Sequence, residues 1–427
     1  MRKMKPSGVE WIGDIPQEWE IALIKYSIKW KSEKGKPDAT VLSLYRDYGI
    51  VPKDSRDDNH NVTSLDTSGY KVVDIGDFVI NKMKAWQGSM AISSYKGIVS
   101  PAYHVCEITD DKVYRNYFHY LLRSDLYITE YTRLSKGMRI GQWDLDFHDF
   151  KNLPFLIPPI SEQQRIAEFL DRKCAEIDSI IAKTKATIEE YKALKQAVIT
   201  QAVTKGIRPD RPMKDSGIEW IGEIPQEWEI RKLFRAIDKI GDIDHYMPES
   251  VDNGIPYLMT GDLLPLTSNI DFDTCKQISI EDYDRLSSKI KPETGDVIFA
   301  RYATIGTVCY VDVNDSFLVS YSCLTIKPIK RILNGKFLFY YLKSQTFFED
   351  VQQYIKSNTQ SNVGLDSMSK VKIILPSMSE QQEIADYLDR KCAEIDSLIA
   401  AKEQLLTELE SYKKSVIYEY VTGKKEI

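Results

Sequence analysis

Two stretches of the chain carry apolar residues at spacings of three, four and seven. In the first, "SEQQRIAEFLDRKCAEIDSIIAK" from Ser161, the stripe runs through Ile166, Leu170, Ile177, Ile180, Tyr191, Leu194 and Val198. In the second, "SEQQEIADYLDRKCAEIDSLIAA" from Ser379, it runs through Ile384, Leu388, Ile395, Leu398, Leu405, Leu409, Tyr412 and Val416. This period predicts two long helices with a coiled-coil seam, interrupted at the matching positions Thr184 and Lys402. Prolines 158, 159 and 376 precede them, and Ser161/Gln164 and Ser379/Gln382 form capping-box patterns. A helix from Ser161 to Thr204 is about 65 Å long at 1.5 Å per residue. An apolar seam of that length needs a partner, and the expected partner of each helix is the other one.

Elsewhere the pattern alternates. "GDFVINKMKAW" from Gly76 aligns with "GDVIFARYATIG" from Gly295, each a Gly-Asp turn leading into a β-branched strand. "VSPAYHVCEI" from Val99 and "VSYSCLTIKP" from Val319 predict a second strand pair. Helical stretches follow from Tyr114 and Asn334, with aromatic and Leu stripes that face a core. Each block then closes with a polar loop ("SKGMRIGQWDLD", "KSNTQSNVGLDS") and a short strand ("LPFLIPP", "VKIILP"). The blocks read as α+β modules with a mixed or antiparallel sheet.

A second repeat encloses these blocks. "SGVEWIGDIPQEWEI" from Ser7 returns as "SGIEWIGEIPQEWEI" from Ser216. The order is Trp phrase, divergent block and shared helix, twice over, which makes the chain a pseudo-two-fold internal repeat. The expected divisions are a first domain over 1–160, a helix over 161–204 and a polar linker over 205–215. A second domain over 216–378 and a helix over 379–422 follow. The constant parts repeat while the middles diverge, as in a scaffold that holds two reading heads. Trp11, Trp19, Trp220 and Trp228 belong to the constant part, so they are read as packing anchors.

Composition narrows the function classes. The 427 residues are 43% hydrophobic and 28% charged, as in a globular chain, with no apolar run long enough to span a bilayer and no secretory signal. Six scattered cysteines and five dispersed histidines form no metal-ligand spacing, so reduced thiols in a cytoplasmic protein are expected and a metal site is not. Cys174 and Cys392 occupy equivalent helix positions and read as structural. The net charge of −6 is a mild objection to a nucleic-acid partner. Block 22–160 holds 19 basic and 17 acidic residues and block 231–378 holds 17 and 18, so neither is strongly basic. Phosphate loop, dinucleotide fingerprint, nucleophile elbow and HExxH are missing. So are the Asn-Pro-Pro-aromatic tetrapeptide of amino-methyltransferases and a nuclease acidic-x-Lys triplet after Pro37–Asp38 or Pro209–Asp210. A duplicated enzyme would repeat its catalytic residues; here they do not repeat.

The paired Trp phrases, the paired "SEQQxIAxxLDRKCAEIDS" helices and the strings "NKMKAWQG", "SPAYHV" and "LPFLIPPISEQQ" together resemble the specificity subunit of type I restriction–modification systems, over essentially the whole chain. The resemblance implies an α+β chain of two α/β target-recognition domains separated by two long helices in an antiparallel coiled coil. Each domain would read one half of a bipartite asymmetric site on double-stranded DNA. Two modification (methyltransferase) subunits would dock on the scaffold and two motor-nuclease restriction subunits would add cleavage. The chain itself would be non-catalytic and hold no cofactor.

Candidate DNA-binding residues lie in the divergent blocks. Lys82 and Arg301 are aligned after the Gly-Asp turns and suit phosphate contact or guanine recognition. Lys84, Trp86 and Gln87 follow in block one, and Tyr302 in block two. Arg133, Lys136 and Arg139 form a basic cluster at the closing loop of block one. Asn358, Gln360 and Asn362 occupy that loop in block two, where amides can pair with adenine. The competing reading is a two-module protein-interaction scaffold without DNA binding, which the acidic balance slightly favours.

Overall fold

The computed structural model describes residues 2–427 apart from 35, 37, 47–48, 56–62, 65, 138–142, 303–304 and 355–362. It divides into two units, Met1–Thr184 with Gln404–Ile427, and Lys185–Glu403.

In the first unit the Trp phrase folds into the antiparallel strands Met4–Pro6 and Asp14–Pro16. Glu20–Leu23 then pairs with Pro154–Ile157, stitching together the two ends of the divergent block. Between them lies a four-stranded antiparallel sheet in the order Ile28–Lys31, Tyr103–Ile108, Phe78–Asn81, Met90–Ile92. Period-two alternation buries both of its faces. Phe78, Ile80 and Cys106 pack with Phe118 and Phe150 from the helices Arg115–Leu122 and Phe147–Lys151. Val79 and Val105 face Leu42, Ile50, Val73 and Val99 from two strand pairs on the other side.

The second unit repeats this plan despite its different sequence. Its sheet order is Ile237–Gly241, Cys323–Pro328, Val297–Ala300, Val308–Tyr310, and Glu229–Lys232 pairs with Lys372–Leu375. The second face is covered differently, by a three-stranded sheet, Lys276–Ile278, Ile255–Leu258, Leu318–Val319, that includes one parallel pair. The strand Met213–Asp215, inside the span read as linker, pairs with Glu223–Pro225.

The long helices are Ile160–Lys205 and Met378–Val421. Each begins in one unit and ends in the other, and they pair antiparallel within each unit. In the first, Phe169 meets Tyr420 at 4.4 Å between ring centroids, and Asp178 pairs with Lys413 at 2.7 Å. In the second, Lys195 pairs with Asp396 at 2.6 Å, and Arg208, just past the helix, with Glu383 at 2.7 Å. Gly206 and Gly423 follow the helices with φ of 79° and 69°, the left-handed turn that glycine closes without strain.

Two expectations need correction. The helices start earlier than the capping boxes imply. The N–H groups of Glu162 and Gln163 donate to the Pro159 carbonyl, and those of Glu380 and Gln381 to the Ser377 side chain and carbonyl. Ser161 and Ser379 are therefore inside the first turn. The seam is also shifted. Cys174, Ile177, Thr184 and Ile188 are buried, with the Thr184 hydroxyl donating to the Ile180 carbonyl at 2.8 Å. Ile180, Leu194, Leu398 and Tyr412, placed in the seam by spacing, are 47–50% exposed. At about 100° per residue, Ile180 stands roughly 60° off the line through Ile177, whereas Thr184 stands only about 20° off it.

Candidate nucleic-acid interface

The repeated phrases anchor the divergent blocks to the helix starts. Trp19 and Trp228 are fully buried, and their indole N–H groups donate to Glu162 Oε2 at 3.0 Å and Glu380 Oε2 at 2.9 Å. Arg2 pairs with Glu162 and Arg211 with Glu380, and each guanidinium lies over its indole, at 5.4 and 5.3 Å. The carboxylates sit in the first helical turn, where the helix dipole favours them.

Two further contacts are duplicated. The buried Gln163 side chain donates to the carbonyls of Pro158 and Lys112 and accepts from the Tyr114 N–H. Gln381 repeats this with Pro376, Ile332 and Asn334. Tyr120 donates to Asp171 at 2.7 Å, and Tyr340 to Asp389 at 2.8 Å. "SEQQ" and "LDRK" are thus docking strings, and their chemistry is spent inside the fold.

Most of the described candidate residues lie at one end of each four-stranded sheet. The Lys82 N–H donates to the Ala102 carbonyl and its own carbonyl accepts from Leu145; Arg301 does the same with Ser322 and Val363. The alignment of Lys82 with Arg301 therefore holds in three dimensions, and both stand where the closing loop rejoins the sheet. In the first unit Lys82 Nζ pairs with Asp144 Oδ2 at 3.0 Å, and the backbones of Asp144 and Lys136 bond to each other. Lys136 is largely exposed and its ammonium lies 3.9 Å from Asp149. Lys84 is exposed, Gln87 half-buried, and Trp86 packs on Trp143 of the closing loop at 5.0 Å. Arg133 lies on the helix Asp125–Leu134, whose Thr132 hydroxyl donates to the Trp86 carbonyl at 3.2 Å, and is tied to Glu130 at 2.7 Å. Arg139, Asn358, Gln360 and Asn362 lie outside the described residues.

The fold adds residues that the sequence reading missed. Trp30, half exposed at the end of its strand, lies 6.1 Å from Phe147, which lies 5.0 Å from His104. The buried Lys71 donates to the Tyr103 carbonyl, with its ammonium 5.9 Å from the Trp30 ring. Burial lowers its pKa, helped by the positive charges of Lys34 and Lys82. Burial, with Lys71 and Lys82, pulls the His104 imidazole down to about 4. These residues come from four distant segments, so no local motif marked them. Cationic side chains beside aromatic faces are the mixture that nucleic-acid surfaces use for phosphate contact and apolar base contact.

The second unit places different side chains at the same sheet end. Arg301 is 9% exposed and pairs with Asp242 at 2.6 Å; Asp242 also faces Lys289 at 3.3 Å and His245 at 3.4 Å. His245 stacks on Tyr321 at 4.8 Å. The six cysteines are buried and unpaired, with the Cys106, Cys309 and Cys323 thiols pushed up to about 12 by burial. Asp146, His148 and Asp149 bring ligand atoms within 4.8 Å of one another, but Asp146 is already engaged as the N-cap of Phe147–Lys151. Among the described residues no helix is long and apolar enough to cross a membrane.

Comparison with known proteins agrees with this architecture. The model of the type I restriction modification DNA specificity domain matches residues 27–190 and again 225–411. The MjaVIII specificity subunit of Methanocaldococcus jannaschii is 25% identical over 96% of this chain and 93% of its own. The EcoBI specificity subunit of Escherichia coli is 22% identical over 74% of this chain and 67% of its own. Among solved structures, a chain from a study of type I R-M complex assembly superposes with a TM-score of 0.70 at 16% identity, covering 95% of this chain and 98% of that one. The HsdS subunit of Thermoanaerobacter tengcongensis gives 0.53 at 16% identity, covering 96% and 98%. With the domain matched twice and the scaffold duplicated, the chain belongs to the DNA specificity subunits of type I restriction–modification systems.

Proposed function

We propose that each unit reads one half of a bipartite, asymmetric site on double-stranded DNA through the end of its four-stranded sheet. The recognition domains are residues 1–160 and 216–378, joined through the linker 205–215 and the helices 161–204 and 379–422. The observation that carries this reading is the duplicated sheet end: one backbone frame, made twice, holding different charged and aromatic side chains. A protein-interaction scaffold has no need of that contrast.

The long helices dock two modification subunits. Support comes from four large apolar residues left outside the seam, Ile180 and Leu398 at equivalent repeat positions, and Leu194 and Tyr412 likewise. Two equivalent places suit two copies of one partner. The modification subunits supply S-adenosylmethionine and adenine methylation, restriction subunits add translocation and cleavage, and the complex works in the cytoplasm. This chain contributes specificity without catalysis.

The test is to co-express the chain with its modification subunit and map methylated adenines across the host genome. A single two-part motif with a fixed spacer is expected, with DNA binding that weakens as salt rises. Methylation without any motif would refute the reading.

A further inference from the structure

Arg301 is the obvious candidate to read a base in the second recognition domain, but the two arms of its guanidinium are each engaged within the fold. Nη1 donates to Asp242 Oδ2 at 2.6 Å, and Nη2 donates to the Tyr302 hydroxyl at 2.9 Å. Its Nε is buried, and the whole residue is 9% exposed. Bidentate recognition of guanine needs two guanidinium donors pointing outward together. Here Asp242, itself buried, turns the fork inward; Lys289 donates to its other oxygen, and His245 lies 3.4 Å from the oxygen that Arg301 holds.

The residue presented at this place is Tyr302, half-buried, with the guanidinium carbon 4.8 Å from its ring centroid. A phenol has one proton to donate. Because the Tyr302 oxygen accepts from Arg301, that proton points elsewhere, and among the described residues nothing accepts it. Accepting from the cationic guanidinium also polarises the phenol and strengthens its own O–H as a donor.

We propose that Tyr302 reads one base of the second half-site by donating to an acceptor on its major-groove edge, with Arg301 and Asp242 as its positioning pair. This rests on the reading of the sheet end as the DNA-contacting surface. Guanine, adenine and thymine each offer an acceptor in the major groove, whereas cytosine offers only its amino donor. The chemistry therefore predicts a position at which cytosine is rejected.

The experiment uses the full chain in complex with its modification subunit, and reads the methylated motif by sequencing. Tyr302→Phe keeps the ring and removes the donor. It should admit cytosine at one position of one half-site, with methylation of cytosine-bearing sites rising about tenfold relative to the parental motif. The other half-site and the spacer should be unchanged, which also reports that the complex is folded. Asp242→Asn and Arg301→Lys should relax the same position. If Tyr302→Phe leaves the motif intact while Arg301→Lys alters it, Arg301 reads directly and the proposal falls. It falls equally if all three variants keep the parental motif. A wild-type complex that methylates with no motif at all would instead overturn the underlying reading.

Discussion

At the residue scale, each repeated carboxylate holds both a buried indole and a guanidinium. Glu380 takes Trp228 and Arg211, with the charged pair almost fully enclosed at 6% and 9% side-chain exposure. Glu380→Ala leaves the buried Arg211 with Glu227 as its remaining carboxylate and the indole N–H unpaired, and should cost about 3 kcal/mol in urea unfolding. Arg208→Ala removes a solvent-screened pair with Glu383 and should leave the urea midpoint nearly unchanged. The first unit also carries a pH dependence. Burial and the adjacent Arg123 hold His119 down to about 3, and its Nδ1 accepts from the Ile92 N–H; His104 lies at about 4. Both folded values are below the unfolded value of about 6.5, so the neutral rings favour the fold fully above that pH. Their contribution is lost as the pH falls toward 3–4, at up to about 1.4 kcal/mol per pH unit for each ring. The thermal midpoint should therefore drop between pH 6.5 and 5, and His119→Gln should flatten that drop.

At the element scale, the helices show how spacing identifies a helix but leaves its phase open. Ile177 is buried in the seam and Ile180 faces outward, though both fit a three-four-seven count. Ile177→Ala should cost about 2–4 kcal/mol, while Ile180→Ala should change stability by less than about 0.5 kcal/mol. If the outward residues dock modification subunits, Ile180→Ala and Leu398→Ala together should weaken co-purification with that subunit while leaving unfolding nearly unchanged.

At the scale of the whole molecule, each unit is completed by the far end of the other repeat's helix. Val416, Tyr420 and Val421 belong to the first unit's core, and Ile199, Ala202 and Val203 to the second's. A fragment of residues 1–214 lacks the former, but a second copy offers the latter, so a homodimer with two identical heads should form and direct methylation of a palindromic bipartite site. The substitute is imperfect, because Ala202 then stands where Tyr420 meets Phe169 at 4.4 Å. The resulting void weakens the fragment dimer. Ala202→Tyr should fill it and lower the dimer dissociation constant about tenfold or more, measured by analytical ultracentrifugation. Methylation of the original asymmetric site by the fragment would refute the duplicated plan.

The internal repeat, the two helices and their pairing were legible in the sequence because identical strings must fold alike and a long apolar seam must be covered. The alignment of Lys82 with Arg301 was legible for the same reason, since a Gly-Asp turn fixes the start of the following strand. Tertiary structure decided the rest. Seam phase depends on which neighbour covers which face, so Thr184 went in and Ile180 out. Trp30, Lys71, His104 and Phe147 meet only because four segments end at one edge of a sheet, an adjacency without local signature. Arg301 reads as a free cation until Asp242, 59 positions away in sequence, turns its donors inward. Local pattern determines elements and their duplication, whereas the availability of a charge is set by long-range partners that no stretch of sequence displays.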